Sequence, residues 1–386
     1  SNRTGSIVSC KVLMAVAKPA ATADYGASPT LTRAVPSRWP SPLKPHQRLF
    51  AWALATAVPV VFYAGPLLLM APPFLYLVSP RAALGLLVFD GICIAWPASE
   101  WPWFRGVFQC WYELFEFKHN LATKGATPLK LSDKQLNSLT ILAMHPHGII
   151  PIHGVGLWPA LCDQYLGPLY GFGATTDAAM KLPLLRQLLA WMTAGSADRK
   201  VLTKGMETGK NLFILPGGVA EIFVSEPGTH TIIAKRHGLM KLALRTGAVI
   251  VPMYVFGGTD FLSHLATHGN KERKQGGKPP NIFGTITAEL SRRFKGGITF
   301  FWGQWGTPVP FQCKVAMVMG DPIEPIPGTL GNIDGADGGK LTCTKVPNPT
   351  DEQVEELMGR YTDALTRLFD QYKAQAGYPD AVLEIK

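Results

Sequence analysis

Hydrophobic and polar positions change rhythm twice along the chain. Residues 49–79 form one apolar run without a charged side chain, and residues 82–96 form a second, interrupted only by Asp90. A bilayer core about 30 Å thick takes about 20 helical residues, so the first run is long enough to cross once. Pro59, Pro66, Pro72 and Pro73 punctuate it, and proline breaks helices. Two apolar segments with a proline-rich bend predict a membrane hairpin that enters and leaves by the same face. One span followed by an interfacial segment is the alternative, and a buried helical pair in a soluble core is the plainer one. Trp96, Trp101, Trp103, Trp111 and Tyr112 follow closely; such rings favour the headgroup boundary and serve equally as core.

From residue 136 the rhythm becomes short apolar runs alternating with amphipathic stretches. Strands are expected at 139–144, 169–174, 211–215, 249–256, 298–302 and 314–319. Helices are expected at 178–193, 199–208, 237–246 and 285–294. This alternation predicts an α/β fold with a mostly parallel, twisted sheet covered by helices. Residues 270–280 read as a polar, basic, glycine-rich loop, and 327–350 as a mobile insertion. Residues 351–375 read as a final amphipathic helix with Val354, Leu357, Tyr361, Leu365, Leu368, Phe369 and Tyr372 on one face. Three regions are thus expected: a tail at 1–48, a hairpin with an interfacial segment at 49–104, and a catalytic domain at 105–386.

The tail is rich in Ser, Thr, Ala and Pro, with Asp24 its only acid against seven Lys and Arg. Such a segment cannot build a core. It reads as a disordered basic tail, or as an organelle transit peptide of the same composition. Over all 386 residues the net charge is +10, with 17% charged side chains. A basic surface suits nucleic acid, anionic lipid or a phosphorylated ligand. No zinc-finger, RNP or basic-zipper pattern is present, so nucleic acid ranks last. The six cysteines form no CxxC pair, which fits a reducing, cytosol-facing compartment.

Candidate chemistry falls in three places. The strand expected at 139–144 runs into His145, Pro146, His147 and Gly148. Residues two apart in an extended chain point to the same side, and imidazole takes a proton near neutral pH. Pro146 fixes the backbone, and Gly148 allows a close approach. His153 lies beyond and reads as closing a turn. The second place is residues 215–221, where Gly217 and Gly218 free backbone amides for a ligand at a helix start. Glu221 there can orient an imidazole or simply cap the helix. In the third, Lys235, Arg236, Lys241 and Arg245 flank a helix before a strong strand, a place for phosphates or a solvated basic face.

At these places the sequence resembles the type-2 diacylglycerol acyltransferase family, which includes monoacylglycerol acyltransferases and some wax synthases. His145–Gly148 matches its HPHG tetrapeptide and 216–221 resembles its PGGVAE block. Arg236, Gly238, Leu239, Lys241, Ala243, Gly247, Val251, Pro252, Phe256 and Gly257 match a third block, and residues 318–323 with Tyr361, Leu365, Phe369 and Lys373 match its tail. Phe74, Leu75 and Leu77 resemble a short neutral-lipid motif, FLxL. Some features depart from the pattern. Ile150 stands where related glycerolipid acyltransferases carry an aspartate. His237 occupies an unusual place in the third block, the insertion at 327–350 is long, and the family's YFP tripeptide is not found, though WPWF stands nearby at 101–104.

The resemblance implies a glycerolipid-acyltransferase-like fold and acyl transfer from acyl-CoA, a co-substrate with no further cofactor and no metal, to diacylglycerol, giving triacylglycerol. Monoacylglycerol or a long-chain alcohol are alternative acceptors. His147 is then the expected base, oriented by Glu221, with His145 supporting or sharing the role. Gly217 and Gly218 would face the oxyanion, Arg236, Lys241 and Arg245 the CoA phosphates, and Pro146, Gly148, Phe74, Leu75 and Leu77 the lipid. It further implies the endoplasmic reticulum membrane, catalytic domain toward the cytosol, with lipid droplet or plastid membrane as alternatives; a homo-oligomer is left open. Rival readings are a metallohydrolase using the HxH pair with His264 and His268, and an inert lipid-droplet protein. No GxSxG elbow is present for serine chemistry.

Overall fold

The computed structural model describes residues 30–97, 99–121, 123–124, 127–128, 133–265, 282–294, 296–333 and 339–386. Residues 1–29 of the expected tail, the 270–280 loop and His268 lie outside the described residues. Eight strands form the main sheet: β1 (Thr32–Arg33), β2 (Lys118–His119), β3 (Thr140–His145), β4 (Phe172–Thr175), β5 (Ala194–Ser196), β6 (Leu212–Ile214), β7 (Val249–Phe256) and β8 (Ala316–Met319). Their spatial order is β1-β2-β8-β7-β3-β6-β4-β5. The five strands from β7 to β5 are parallel, β8 runs antiparallel to β7, and β1 antiparallel to β2. The mostly parallel α/β architecture expected from the alternation is therefore present.

Every residue of β3 and β7 is buried, as central parallel strands covered on both faces require. Their side chains sort by the two-residue period of a strand. Leu142 and Met144 of β3, with Val251, Met253 and Val255 of β7, enter one core layer. Ile141 and Ala143, with Ile250, Tyr254 and Phe256, enter the other. That second layer is closed by two helices, α6 (His237–Thr246) and α8 (Asp351–Ala376). Four more helices matter below: α3 (Leu185–Trp191), α4 (Arg199–Glu207), α5 (Gly218–Ile222) and α7 (Ile282–Phe294).

The N-terminal hairpin consists of α1 (Pro45–Val78) and α2 (Pro80–Ala95), folded against each other. Contrary to expectation, α1 runs unbroken through all four prolines for 34 residues, about 50 Å. Proline's fixed φ is itself helical, and each ring removes only one donor. The bend falls instead at Ser79. A residue before proline is pushed out of the helical region, and Ser79 is extended at φ −153°. Its hydroxyl then accepts from the Ala82 amide at 3.3 Å, capping α2. The root of α1 is anchored in the first core layer by Ala51, Ala55 and Val58. The Trp111 indole donates to the Ala51 carbonyl at 3.2 Å.

Other expectations also shift. Residues 30–48, read as tail, are folded: β1 is an edge strand, and the Ser37 and Arg38 amides both donate to Gln109 Oε1 at 3.0 Å. The stretch at 178–193 breaks at Pro183, leaving a short 3₁₀ turn and α3. Of the strand at 298–302 only Phe301–Trp302 forms, and it pairs with Ser263–His264 outside the main sheet. The described ends of the insertion at 327–350 are held rather than loose: the Leu341 amide donates to Asn137 and the Cys343 amide to Gly247.

Candidate active site

β3 delivers the two histidines to the carboxyl end of the sheet, where ligands bind in open α/β folds. His145 is the last strand residue and continues the alternation of Ile141 and Ala143, so its ring enters the layer closed by α8. It is fully buried. Its Nε2 lies 2.9 Å from the Tyr361 hydroxyl of α8, and its Nδ1 lies 3.7 Å from Glu221 Oε2. Pro146 follows through a cis peptide bond. Because the strand has ended, the two-residue rule does not carry to His147, and the two rings have different surroundings. The expectation that both face one side is corrected accordingly.

The ring of His147 is only partly buried. Its Nδ1 lies 2.8 Å from the Gly148 carbonyl. A carbonyl only accepts, so Nδ1 carries the proton and the neutral ring holds its lone pair on Nε2. Among the described residues that nitrogen has no hydrogen-bond partner. Burial lowers the His147 pKa from its usual value, the Gly148 carbonyl and Glu221 oppose the shift, and His145 adds to it.

Glu221 arrives on α5, the short helix after the Gly217–Gly218 turn, and is fully buried. Its Oε1 accepts from the main-chain amide of His147, and its Oε2 accepts from the Ile233 amide at 2.8 Å. Burial pushes its carboxyl pKa up, but the His145 ring and these two amides more than offset that, leaving it below the ordinary carboxylate value. The carboxylate therefore faces the His145 ring and holds the His147 backbone; it does not reach the His147 ring. Gly217 is required here, since a Cβ on it would lie 1.9 Å from Glu221 Oε2.

The loop is braced at two further points. His153 is buried with its Nε2 2.9 Å from the Pro146 carbonyl. Burial, with His147 nearby, holds the His153 pKa down to about 3, so the ring is neutral and donates to that carbonyl. It closes the turn, as its place in the sequence suggested. Gly148 sits at φ +70°, and a Cβ there would be 2.8 Å from the Gly258 carbonyl. The close approach it permits is thus to the turn after β7.

The remaining expected residues are placed as follows. The Gly218 amide already donates to the Leu215 carbonyl at 3.1 Å, which leaves Gly217 as the better-placed donor of the pair. Arg236 donates from Nε to the Pro216 carbonyl at 2.9 Å and from Nη2 to the Gly217 carbonyl at 2.7 Å. It clamps the turn that carries Glu221. Lys241 pairs with Asp351 at 3.2 Å and Arg245 donates to the Pro347 carbonyl at 3.2 Å. Arg245 stands at the carboxyl end of α6, just before β7 begins, and so at the opposite edge of the sheet from His147. The three cations do not converge. Phe74, Leu75 and Leu77 lie in the last turns of α1, Phe74 and Leu77 exposed, remote from the histidines. Ile150, where a local aspartate would stand, is core.

Tyr361 and the Ile233 amide are the partners that sequence reading did not assign to the site. Tyr361 reads as one more apolar-face residue of a helix, matched to the family's tail without a role in the site, and lies 216 positions from His145. An apolar cavity of about 450 Å³ lies between the hairpin and α3, lined by Leu54, Val58 and Val61 of α1, Cys93 of α2, and Leu188 and Trp191 of α3. His147 does not line it. Among the described residues no three His, Cys, Asp or Glu side chains are grouped as metal ligands, and His264 Nε2 lies 2.8 Å from the Ser225 carbonyl.

Known proteins bear on this arrangement. A mouse protein named diacylglycerol O-acyltransferase 2-like protein 6 is 27% identical, over 83% of this chain and 91% of its own length. Mouse acyl-CoA wax alcohol acyltransferase 2 is 28% identical over 85% and 92%. Diacylglycerol O-acyltransferase 2 of Dictyostelium discoideum is 30% identical over 60% and 66%. Among solved structures, the 1-acyl-sn-glycerophosphate acyltransferase of Thermotoga maritima is similar over 83% of this chain and 96% of its own, at 12% identity and a TM-score of 0.34, too distant to align residues. The family model for diacylglycerol acyltransferase matches residues 125–386, which hold every histidine, glutamate and cation of the site just described. With these relatives beside that match, the chain belongs to the type-2 diacylglycerol acyltransferase family.

Proposed function

We propose that the protein transfers a fatty acyl group from acyl-CoA to the free hydroxyl of diacylglycerol, forming triacylglycerol at a membrane. The observation that carries the reading is the His147 ring: its Nδ1 proton is engaged by the Gly148 carbonyl at 2.8 Å, and its Nε2 is left as a base. The alcohol is a poor nucleophile at neutral pH. Nε2 takes its proton as the oxygen attacks the thioester carbonyl. The tetrahedral oxyanion collapses, the C–S bond breaks, and the imidazolium returns the proton to the departing thiolate as CoA–SH. A positioned base of this kind contributes about 10² to 10⁴ in rate. Glu221 acts on the step through the backbone, by fixing the His147 amide, and His145 bridges Glu221 to α8.

The hairpin supports a membrane setting. α1 is the one described helix long and apolar enough to cross a bilayer. α2 has 16 residues, about 24 Å, short of a core about 30 Å thick. A hairpin dipping in and returning by the same face fits these lengths, in the endoplasmic reticulum with the catalytic domain toward the cytosol. The apolar cavity at its root suits an acyl chain. The acceptor is tested by expressing the chain in cells that make no neutral lipid. Triacylglycerol should appear, and His147→Ala should abolish it while the protein stays folded. Wax esters in place of triacylglycerol would favour the alcohol acceptor that the name of the mouse wax alcohol relative suggests. Undiminished turnover by His147→Ala would remove this base from the reaction.

A further inference from the structure

α7 presents an apolar face that nothing among the described residues covers. Ile282, Ile286, Leu290 and Phe294 recur every four residues and so share one side of the helix. All four are exposed, Ile282 at 70%. The opposite side is small and buried, with Gly284, Thr287, Ala288 and Ser291. Phe300 and Trp305, which follow the helix in the chain, are also exposed, the latter at 84%. A contiguous patch of this kind on a soluble surface marks an interaction site.

Its position points to the occupant. The residue after Phe300 is joined to the hairpin: the Phe301 and Tyr63 rings stack at 4.0 Å, and the Phe301 amide donates to the Tyr63 hydroxyl at 2.7 Å. Tyr63 lies on α1, and from there to Val78 the helix extends about 22 Å further. Its large apolar side chains beyond that point, such as Leu67, Met70 and Phe74, are largely exposed. The level of Tyr63 is therefore where the hairpin leaves the protein. Where α2 ends, the exposed Trp96 caps it, and Trp101 and Trp103 follow, also exposed; tryptophan favours the headgroup level. Arg292 and Arg293 occupy the last turn of α7, with Arg292 paired to Glu289 at 2.6 Å. Cations beside an apolar stripe are the composition of a helix that lies in a lipid interface.

We propose that α7, with Phe300 and Trp305, lies flat in the headgroup–acyl boundary of the membrane beside the hairpin root, as a second contact with the lipid surface. The inference rests on the membrane reading of the hairpin. It ties the surface to the site, because the loop after α7 packs on α5: a Cβ on Gly297 would be 2.7 Å from Ile222 Cδ1, one residue from Glu221. Lipid contact on α7 thus bears directly on the helix that carries the carboxylate.

The test uses the full chain in vesicles of phosphatidylcholine and phosphatidylserine. An environment-sensitive fluorophore is attached through Ile286→Cys in a background lacking other reactive cysteines, with Leu87→Cys in α2 and Glu207→Cys in α4 as membrane and solvent references. Spin labels on the lipid acyl chains should quench the Ile286 label most strongly at shallow positions, about 5 to 10 Å below the headgroups. The Glu207 label should stay unquenched. Quenching at Leu87 with none at Ile286 would overturn the proposal. So would an Ile286 label shielded from both lipid and aqueous quenchers, since a protein partner or a second copy would then cover this face. An inactive His147→Ala chain should give the same quenching, so this result and the acyl-transfer reading fail separately.

Discussion

Replacing Glu221 by glutamine tests whether the carboxylate works by position. It accepts from two backbone amides at once, His147 through Oε1 and Ile233 through Oε2 at 2.8 Å. Glutamine offers one acceptor and one donor, so whichever way the amide turns, one backbone N–H meets another N–H. A hydrogen bond to a charged group contributes about 1.5–3 kcal/mol, and Glu221→Gln should lower folding stability by about that much. A base displaced by about 1 Å loses on the order of 10² in rate, so kcat should fall about that far while KM for acyl-CoA holds. The pH dependence carries the sign. Glu221 raises the His147 pKa, so removing the charge should move the acid limb of the pH–rate profile to lower pH. The Glu221 pKa is lower in the folded state than in the unfolded chain. Its contribution to stability is therefore full above the unfolded value of about 4.3 and is lost as pH falls through the folded one. The stability difference between the two proteins should shrink in that window. Radiolabelled acyl-CoA with membranes, and unfolding followed across pH, measure both. Wild-type turnover with an unmoved acid limb would refute the positioning role.

The same geometry gives further outcomes. Because burial lowers the His147 pKa and the base must be neutral, the wild-type acid limb should lie below pH 6.5, the ordinary value for the ring; a limb above it would contradict the assignment. Tyr361→Phe leaves His145 Nε2 buried without its 2.9 Å partner, so denaturant unfolding should show a loss of about 1–3 kcal/mol, with a smaller rate loss than His147→Ala. Gly148→Ala, at φ +70° and 2.8 Å from the Gly258 carbonyl, should displace the loop and lower kcat without changing membrane binding.

Legibility followed the reach of each signal. β7 and α6 were readable to the residue, because an eight-residue apolar strand follows a helix closed by Gly247 in the left-handed region at φ +68°. α8 was readable because Val354, Leu357, Tyr361, Leu365, Leu368, Phe369 and Tyr372 fall on one face, and all seven are buried. β1, β2 and β5 were not: strands of two or three residues carry too few positions to show a period. The prolines of α1 misled because fixed φ was read as a break. In the site, His145, His147 and Glu221 stood out as polar residues beside strand ends. The placement of the expected cations did not follow, since spacing along α6 says which residues share a face and not which end of the sheet they reach. Arg236 took backbone carbonyls instead, a choice that only the folded turn reveals.

Two histidines two positions apart would be equivalent if the strand continued, and here they are not. The period of β3 commits His145 to the layer closed by α8, where its nitrogens face Tyr361 and Glu221. The strand stops there, and His147 is held through its amide and at Nδ1, with Nε2 unbonded among the described residues. Their substitutions should therefore separate stability from turnover. His145→Ala strands the buried Tyr361 hydroxyl and removes the ring facing a buried carboxylate, so unfolding should come earlier by about 1–3 kcal/mol. Its rate loss should then track the fraction unfolded. His147→Ala removes a partly exposed ring while its amide still donates to Glu221, so stability should be nearly unchanged while turnover falls by about 10² or more. The reverse pattern, an inactive but stable His145→Ala beside an active His147→Ala, would transfer the base to the buried ring and require the α8 layer to open for every substrate.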